Sequence, residues 1–206
     1  MMRFTNIALS VVVAVAAALV MSCSNENDTA LQSQQTAISQ YLTSSHQPRL
    51  IPEAEVASSF DPEPQYYSQW GLDIYRYIST MYAEGREERE ILDFGDECEI
   101  VYTAYLFSRN KPSTRDIFAT NDPESINALV ELGLNTEYEW SDEPFSLRLG
   151  DGSLLGSLET ALEGCREGDN VEIYLTYDKA YGKHTFGMLP SKSSVVWYID
   201  IVSINK

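Results

Sequence analysis

The chain has 206 residues, with 31 Asp and Glu against 14 Lys and Arg and a formal net charge of −17. Such an acidic excess repels nucleic acid and anionic lipid surfaces, so no nucleic-acid partner is expected. The histidines are His46 and His184 only, and no paired Cys or His spacing accompanies them, so neither a metal site nor a cofactor is expected.

Arg3 supplies a short positive segment, and Ile7 to Met21 is an apolar run broken only by Ser10. The run is short and N-terminal, which reads as the apolar region of a secretory signal rather than a membrane span. Val20-Met21-Ser22-Cys23 resembles the lipobox of bacterial lipoproteins. That resemblance implies loss of residues 1–22 as a signal peptide and lipidation of Cys23. It places the protein in the cell envelope, lipid-anchored to the outer membrane on its periplasmic or surface face. Acyl chains hold by burying methylenes, about 0.8 kcal/mol for each.

Residues 23–65 read as a lipid-anchored tether. Within it, "TALQSQQTAISQYLTSS" carries Leu31, Ile38 and Leu42 as a weak helical stripe, and a connector with four prolines follows from His46. The folded domain is expected over 66–206. Tyr66, Tyr67 and Trp70 read as exposed aromatics of the kind a glycan- or protein-binding surface uses. In "GLDIYRYIS", Leu72, Ile74 and Ile78 alternate with Asp73, Tyr75 and Tyr77, the pattern of a half-buried strand. "CEIVYTAYLF" (98–107) is β-branched and aromatic, a long strand, and "IFATN" is a short one.

Residues 122–143 look inserted. Asp122 or Ser125 caps a helix carrying Ile126, Leu129, Val130 and Leu132, which Gly133 stops. "FSLRLG" turns Phe145, Leu147 and Leu149 inward. Ser157 then caps a short helix whose Leu158, Ala161, Leu162 and Cys165 fall at i, i+3, i+4 and i+7. "NVEIYLTY" and "SSVVWYIDIVSI" alternate again, the second with Val195, Trp197, Ile199 and Ile201 on one face. Five strands about one short helix predict an α+β domain with an antiparallel sheet. Cys98 and Cys165 sit in apolar patterns; a disulfide and two small buried hydrophobes both fit.

The ordered series "PFSLRLG", Leu154-Leu155, "SLETALEGC", "EGD", "NVEIYLTY", "DKAYG", "GMLP" and "VVWYIDI" resembles the C-terminal half of FKBP-type peptidyl-prolyl cis-trans isomerases. "GLDIYRYI", "GDECEIVYTAYL" and "IFATN" extend the resemblance to residues 70–206, interrupted by 122–143. It implies an FKBP-like five-stranded sheet wrapped on a short helix, with the inserted segment beside the rim. It further implies an isomerase acting on proline-containing polypeptides, assisting the folding of exported proteins, with an FK506-like macrolide as a possible pocket ligand. Carried over, Tyr102, Phe118, Tyr181 and Trp197 take the catalytic positions, and Phe145, Leu154, Leu155, Leu158, Met188 and Leu189 the substrate-binding ones. The family uses the backbone N–H of the residue at Leu155 to bind a carbonyl.

The chain departs from the family where Ala119 replaces an acidic residue, where Leu158 replaces a tryptophan, and in a loop from Gly182 to Gly187 that is about one residue short. These departures set a second expectation beside the first: a catalytically weak, FKBP-like peptide-binding or chaperone lipoprotein. For the insertion two readings stand, an apolar client surface made by Ile126, Leu129, Val130, Leu132, Tyr138 and Trp140, or a helix packed on the sheet edge.

Overall fold

The computed structural model describes residues 29–206. The expected signal segment 1–22 and the lipidation position Cys23 lie outside the described residues. The chain divides into two units, 1–33 and 34–206. Of the first, residues 29–33 are helical. The second holds every strand among the described residues and the core.

Period-two alternation decides the layering. Strands β1 (Ile51–Pro52), β2 (Tyr66–Trp70), β3 (Ile74–Ile78), β4 (Glu97–Leu106), β5 (Ile117–Thr120), β6 (Phe145–Arg148), β7 (Asn170–Leu175) and β8 (Val195–Asn205) form one sheet. Its order is β1-β2-β3-β7-β8-β4-β5, with β6 also paired to β4. All ladders are antiparallel except β1 with β2. The five strands expected from the sequence are β3, β4, β6, β7 and β8, the short "IFATN" strand is β5, and β1 and β2 extend the sheet past β3.

One face of the sheet packs on a short helix, Gly156–Leu162. Leu158, Ala161, Leu162 and Cys165 are all fully buried there against Ile74, Ile78, Ile173, Val195, Trp197 and Ile199. A fully buried leucine contributes about 1.5–3 kcal/mol relative to exposure, so this stripe alone fixes the helix to the sheet. The helix starts differently from the expectation. Its cap is Leu155, with no side-chain bond, while the Ser157 hydroxyl donates instead to Lys179 O at 2.6 Å. At the other end Arg76, on β3, donates to Ala161 O and Glu163 O at 2.8 Å each, meeting carbonyls that a helix terminus leaves unpaired. Cys98 and Cys165 are free, buried thiols, each pushed up to about 11 by burial.

The opposite face is also covered, and this moves the domain boundary. Residues 34–40 are α-helical and continue into a π turn at Tyr41–Ser45. Ile38, Tyr41, Leu42 and Leu50 bury themselves against Tyr67, Tyr75, Tyr77, Phe107, Tyr174 and Val196. The stretch expected to be a tether thus contributes a layer of the fold from Gln34 onward. Tyr75 and Tyr77, expected on an open face, are buried for the same reason. Tyr67 is buried too and supplies no exposed aromatic, whereas Leu72, expected inward, lies in the turn after Gly71 and is 55% exposed.

An ion pair lies fully inside the fold. Arg86 Nε and Nη2 donate to Asp169 Oδ1 and Oδ2 at 2.8 and 2.7 Å. Thr80 Oγ1 and the Arg166 N–H complete the carboxylate's partners. Removing one member of such a pair strands the other charge away from water. Asp169→Ala is expected to cost about 3–5 kcal/mol of unfolding free energy, read as a lower urea midpoint at unchanged slope; a loss below about 1 kcal/mol, the size of a surface pair, contradicts this role.

Candidate active site

Six aromatic rings, from four strands and the loop between β7 and β8, meet. Trp197 of β8 lies 5.0 Å from Tyr102 of β4, tilted by 37°, and 6.0 Å edge-on from Phe118 of β5. Phe145 of β6 stands 6.5 Å edge-on to Tyr102. Phe118 meets Tyr181 at 5.7 Å, and Tyr181 is stacked by Phe186 at 4.5 Å with only 16° between planes. Trp197 and Phe118 are buried and form the floor; Tyr102 and Tyr181 are half-buried walls; Phe145 and Phe186 stand at the exposed rim. The result is a cup with an apolar floor and phenolic walls.

Backbone pairing explains how the rings converge. Ala104 pairs with Trp197 and with Ala119, which sets β8, β4 and β5 side by side at the floor. Strand β4 shares its second edge between two partners, β6 over Glu97–Ile100 and β5 over Thr103–Tyr105. At the changeover its groups would lack partners, and Asn121 supplies them. Its Oδ1 accepts from the Tyr102 N–H at 2.6 Å, and its Nδ2 donates to Ile100 O and Glu143 O at 3.0 Å each. Asn121 thereby seats Tyr102 and closes the two ends of the inserted segment. That segment carries the helix Pro123–Glu131, capped by Asp122 through Ser125 N and Glu124 N. Only Leu129 of its apolar set is buried; Val130, Leu132 and Tyr138 are exposed.

Residues 182–192 form the loop over the cup, closed at its base by Lys192 N to Gly182 O at 3.0 Å. Reciprocal bonds between Phe186 and Leu189 pinch its tip. Met188, expected as a lip, is exposed. Leu189, expected beside it, is buried and anchors the loop instead. Leu158 likewise is fully buried and backs the cup from within rather than facing a ligand. Leu154 and Leu155 are half-buried beside the core, and the Leu155 N–H makes no hydrogen bond among the described residues. Phe186 is the rim ring that sequence reasoning missed; it precedes a glycine in a loop already rich in aromatics.

Neither Tyr102 nor Tyr181 gives its hydroxyl to a protein acceptor among the described residues. Burial, reinforced by Tyr102, pushes Tyr181 up to about 12. Burial raises Tyr102 as well. Both phenols therefore stay protonated near neutrality and are available as donors. The indole Nε1 of Trp197 is buried without an acceptor. Position 119 is an alanine, so no carboxylate there anchors the cup by charge. Two clefts lie elsewhere: one of about 490 Å³ beside Glu97 and Arg148, lined largely by polar groups, and one of about 600 Å³ where Tyr102, Tyr105 and Tyr198 meet Asp122 and Glu124. Of the six rings only Tyr102 borders either cleft.

The rings thus form an aromatic socket with two unspent phenolic donors, backed by one short helix packed on the sheet. Residues 128–202 match the family model described as FKBP-type peptidyl-prolyl cis-trans isomerase. That match runs from the inserted helix through β8. Among solved structures, the crystal structure of the three FKBP domains of wheat FKBP73 is similar at 16% identity and a TM-score of 0.49. The similarity covers 68% of this chain and 50% of that one. No curated protein matches. The stacked pair at the rim should be energetically coupled: a double-mutant cycle with Tyr181→Ala and Phe186→Ala is expected to give a coupling of about 0.5–1.5 kcal/mol in unfolding free energy. Strict additivity would show that the two rings do not interact in solution.

Proposed function

We propose that this chain catalyses cis-trans isomerisation of Xaa-Pro bonds in exported polypeptides, held in the cell envelope by a lipid on Cys23. The observation that carries the reading is the convergence of Trp197, Phe118, Tyr102 and Tyr181 on one concavity, with the Tyr181 hydroxyl and the Leu155 N–H unspent.

The barrier to be lowered is about 18–20 kcal/mol, because twisting the amide breaks its conjugation. Uncatalysed isomerisation takes on the order of 10–100 s. No bond is made or broken, so the enzyme needs only to favour the twisted form over the planar one. The planar amide is the more polar of the two, and removal from water into a ring-lined cup disfavours it relative to the twisted amide. Trp197 and Phe118 supply that surface for the pyrrolidine. Tyr181 donates to a peptide carbonyl at the wall, and the Leu155 N–H takes a second carbonyl, holding the chain while the bond turns.

Tyr181→Phe is expected to slow catalysis several-fold while leaving the fold intact, since the ring stack remains. The rate should be flat across pH 6–9 as far as Tyr181 is concerned, because a phenol raised to about 12 keeps its proton throughout that range. The decisive measurement is refolding of a proline-limited substrate with and without FK506. Acceleration that the drug suppresses supports the proposal; an unchanged refolding rate, with a positive control working, overturns it. Membrane fractionation of Cys23→Ser against the wild-type chain tests the anchor separately, and retention of the variant in the membrane would refute lipidation there.

Ala119 favours a second reading, a peptide-binding module without turnover, because the cup lacks an acidic anchor and its shape then rests on ring packing alone. Suppressed aggregation of a denatured client without faster prolyl isomerisation would identify that case.

A further inference from the structure

His46 is one of the few charged or chargeable side chains buried in the fold, and it plays no part in the cup. It lies on the sheet's other face, 4% exposed, between the rings of Tyr41 and Tyr77 at 5.6 and 5.1 Å. Its Nδ1 meets the Pro48 carbonyl, and its Nε2 lies 3.0 Å from Glu172 Oε2 on β7. A carbonyl only accepts, and so does a carboxylate, so both ring nitrogens must donate. Neutral imidazole has one N–H. The contact therefore needs one proton more than a neutral histidine and an ionised glutamate carry, whether that proton sits nearer Nε2 or Oε2. The same Oε2 also accepts from the Tyr174 hydroxyl, which fixes the carboxylate in place.

The segment held by this contact reaches the roof of the cup. Gln34 Nε2 donates to Lys192 O, and its Oε1 accepts from Tyr177 N, each at 2.8 Å. Tyr177 and Lys192 are the two ends of the stretch carrying Tyr181, Phe186 and Met188. Gln35 adds a bond to Asp73 at 2.9 Å. One amide thus clasps both feet of the loop.

We propose that His46 and Glu172 form a protonation-dependent latch: the shared proton docks residues 34–50 on the sheet, and its loss frees that segment together with the Gln34 clasp on the loop over the cup. The groups that face the ring set its response. Burial by itself disfavours the charged ring. The hydrogen bonds to Glu172 and Pro48 and the Glu172 charge outweigh burial, Lys111 works weakly against them, and the net shift is upward. Tyr41 and Tyr174 face the same carboxylate, Tyr77 spends its hydroxyl on Gln65, and Tyr198 feels Glu172 from β8. A raised value in the docked state means that the stabilisation is fully present below the free histidine value, about 6.5, and is lost as pH rises through the docked value.

Hydrogen exchange on the full chain from pH 6 to 8.5, corrected for intrinsic rates and normalised to β8 amides, reads the latch directly. Amides in 38–50 and in 178–192 should lose protection together, several-fold, as pH rises. In His46→Phe, which keeps a ring but no donor, and in Glu172→Gln, whose amide can accept or donate without an extra proton, the pH dependence should vanish. Glu172→Gln decides the matter alone if His46→Phe does not fold. Protection that is constant with pH in the wild-type chain, or a fall that persists in either variant, overturns the latch. A fall confined to 38–50 removes the link to the loop.

Discussion

A strand covered on both faces has no solvent side to which it can turn polar residues, and β8 is such a strand at its start, before Asp200 and Val202 turn to water. Val195, Val196, Trp197, Ile199 and Ile201 are all buried, in both alternation classes. Trp197 and its even-spaced neighbours face the short helix and the cup, while Val196 faces the N-terminal helix. Neither layer is an accessory under this constraint. Without the N-terminal segment, Tyr75, Tyr77, Phe107 and Tyr174 would present a broad aromatic surface to water. The cup sits on the reverse of the same strands, so its geometry depends on a layer that never touches a substrate.

The inserted segment is accommodated by a single side chain. A strand that changes partner halfway along one side leaves unpaired N–H and C=O groups at the gap, and leaving each unmade costs about 1–3 kcal/mol. Asn121 fills the gap with a primary amide, donor and acceptor at once. The hydroxyls of Thr103, Thr120 and Ser125 continue the polar seam under the inserted helix. These bonds hold Tyr102 at the angle at which it meets Trp197, so the cup's wall is set by polar groups that a hydrophobicity pattern does not flag.

Much of this architecture is legible from residue spacing. The i, i+3, i+4, i+7 stripe of the short helix is buried as its pattern requires, Asp122 caps the inserted helix, and the alternation of β7 and β8 places Trp197 inward. The motif series and its upstream extension single out Tyr102, Phe118, Phe145 and Tyr181, whose rings lie in contact with one another or with Trp197. The N-terminal layer is not legible because its composition is Gln, Ser and Thr, and its buried residues, Ile38, Tyr41 and Leu42, are too few to stand out against a polar background. Gln34 and His46 act through hydrogen bonds to residues more than 120 positions away, a separation that no local window covers. Ser157 illustrates the reverse error: a good capping residue at the right place, whose hydroxyl a neighbouring loop carbonyl captures. The family resemblance puts Leu158 and Leu189 at the pocket surface, whereas the wide indole of Trp197 closes the floor and the pinched loop tip turns Leu189 inward.

Gly187 marks where the roof and the insertion touch. Its φ is +55°, and a Cβ built there would lie 3.4 Å from the Tyr138 hydroxyl. The positive φ strains any L side chain at this position, and its Cβ would touch the insertion. For protein engineering, the roof is therefore not an interchangeable module: a loop grafted from another domain would have to bring its own neighbour for position 138, or arrive with a glycine at its apex.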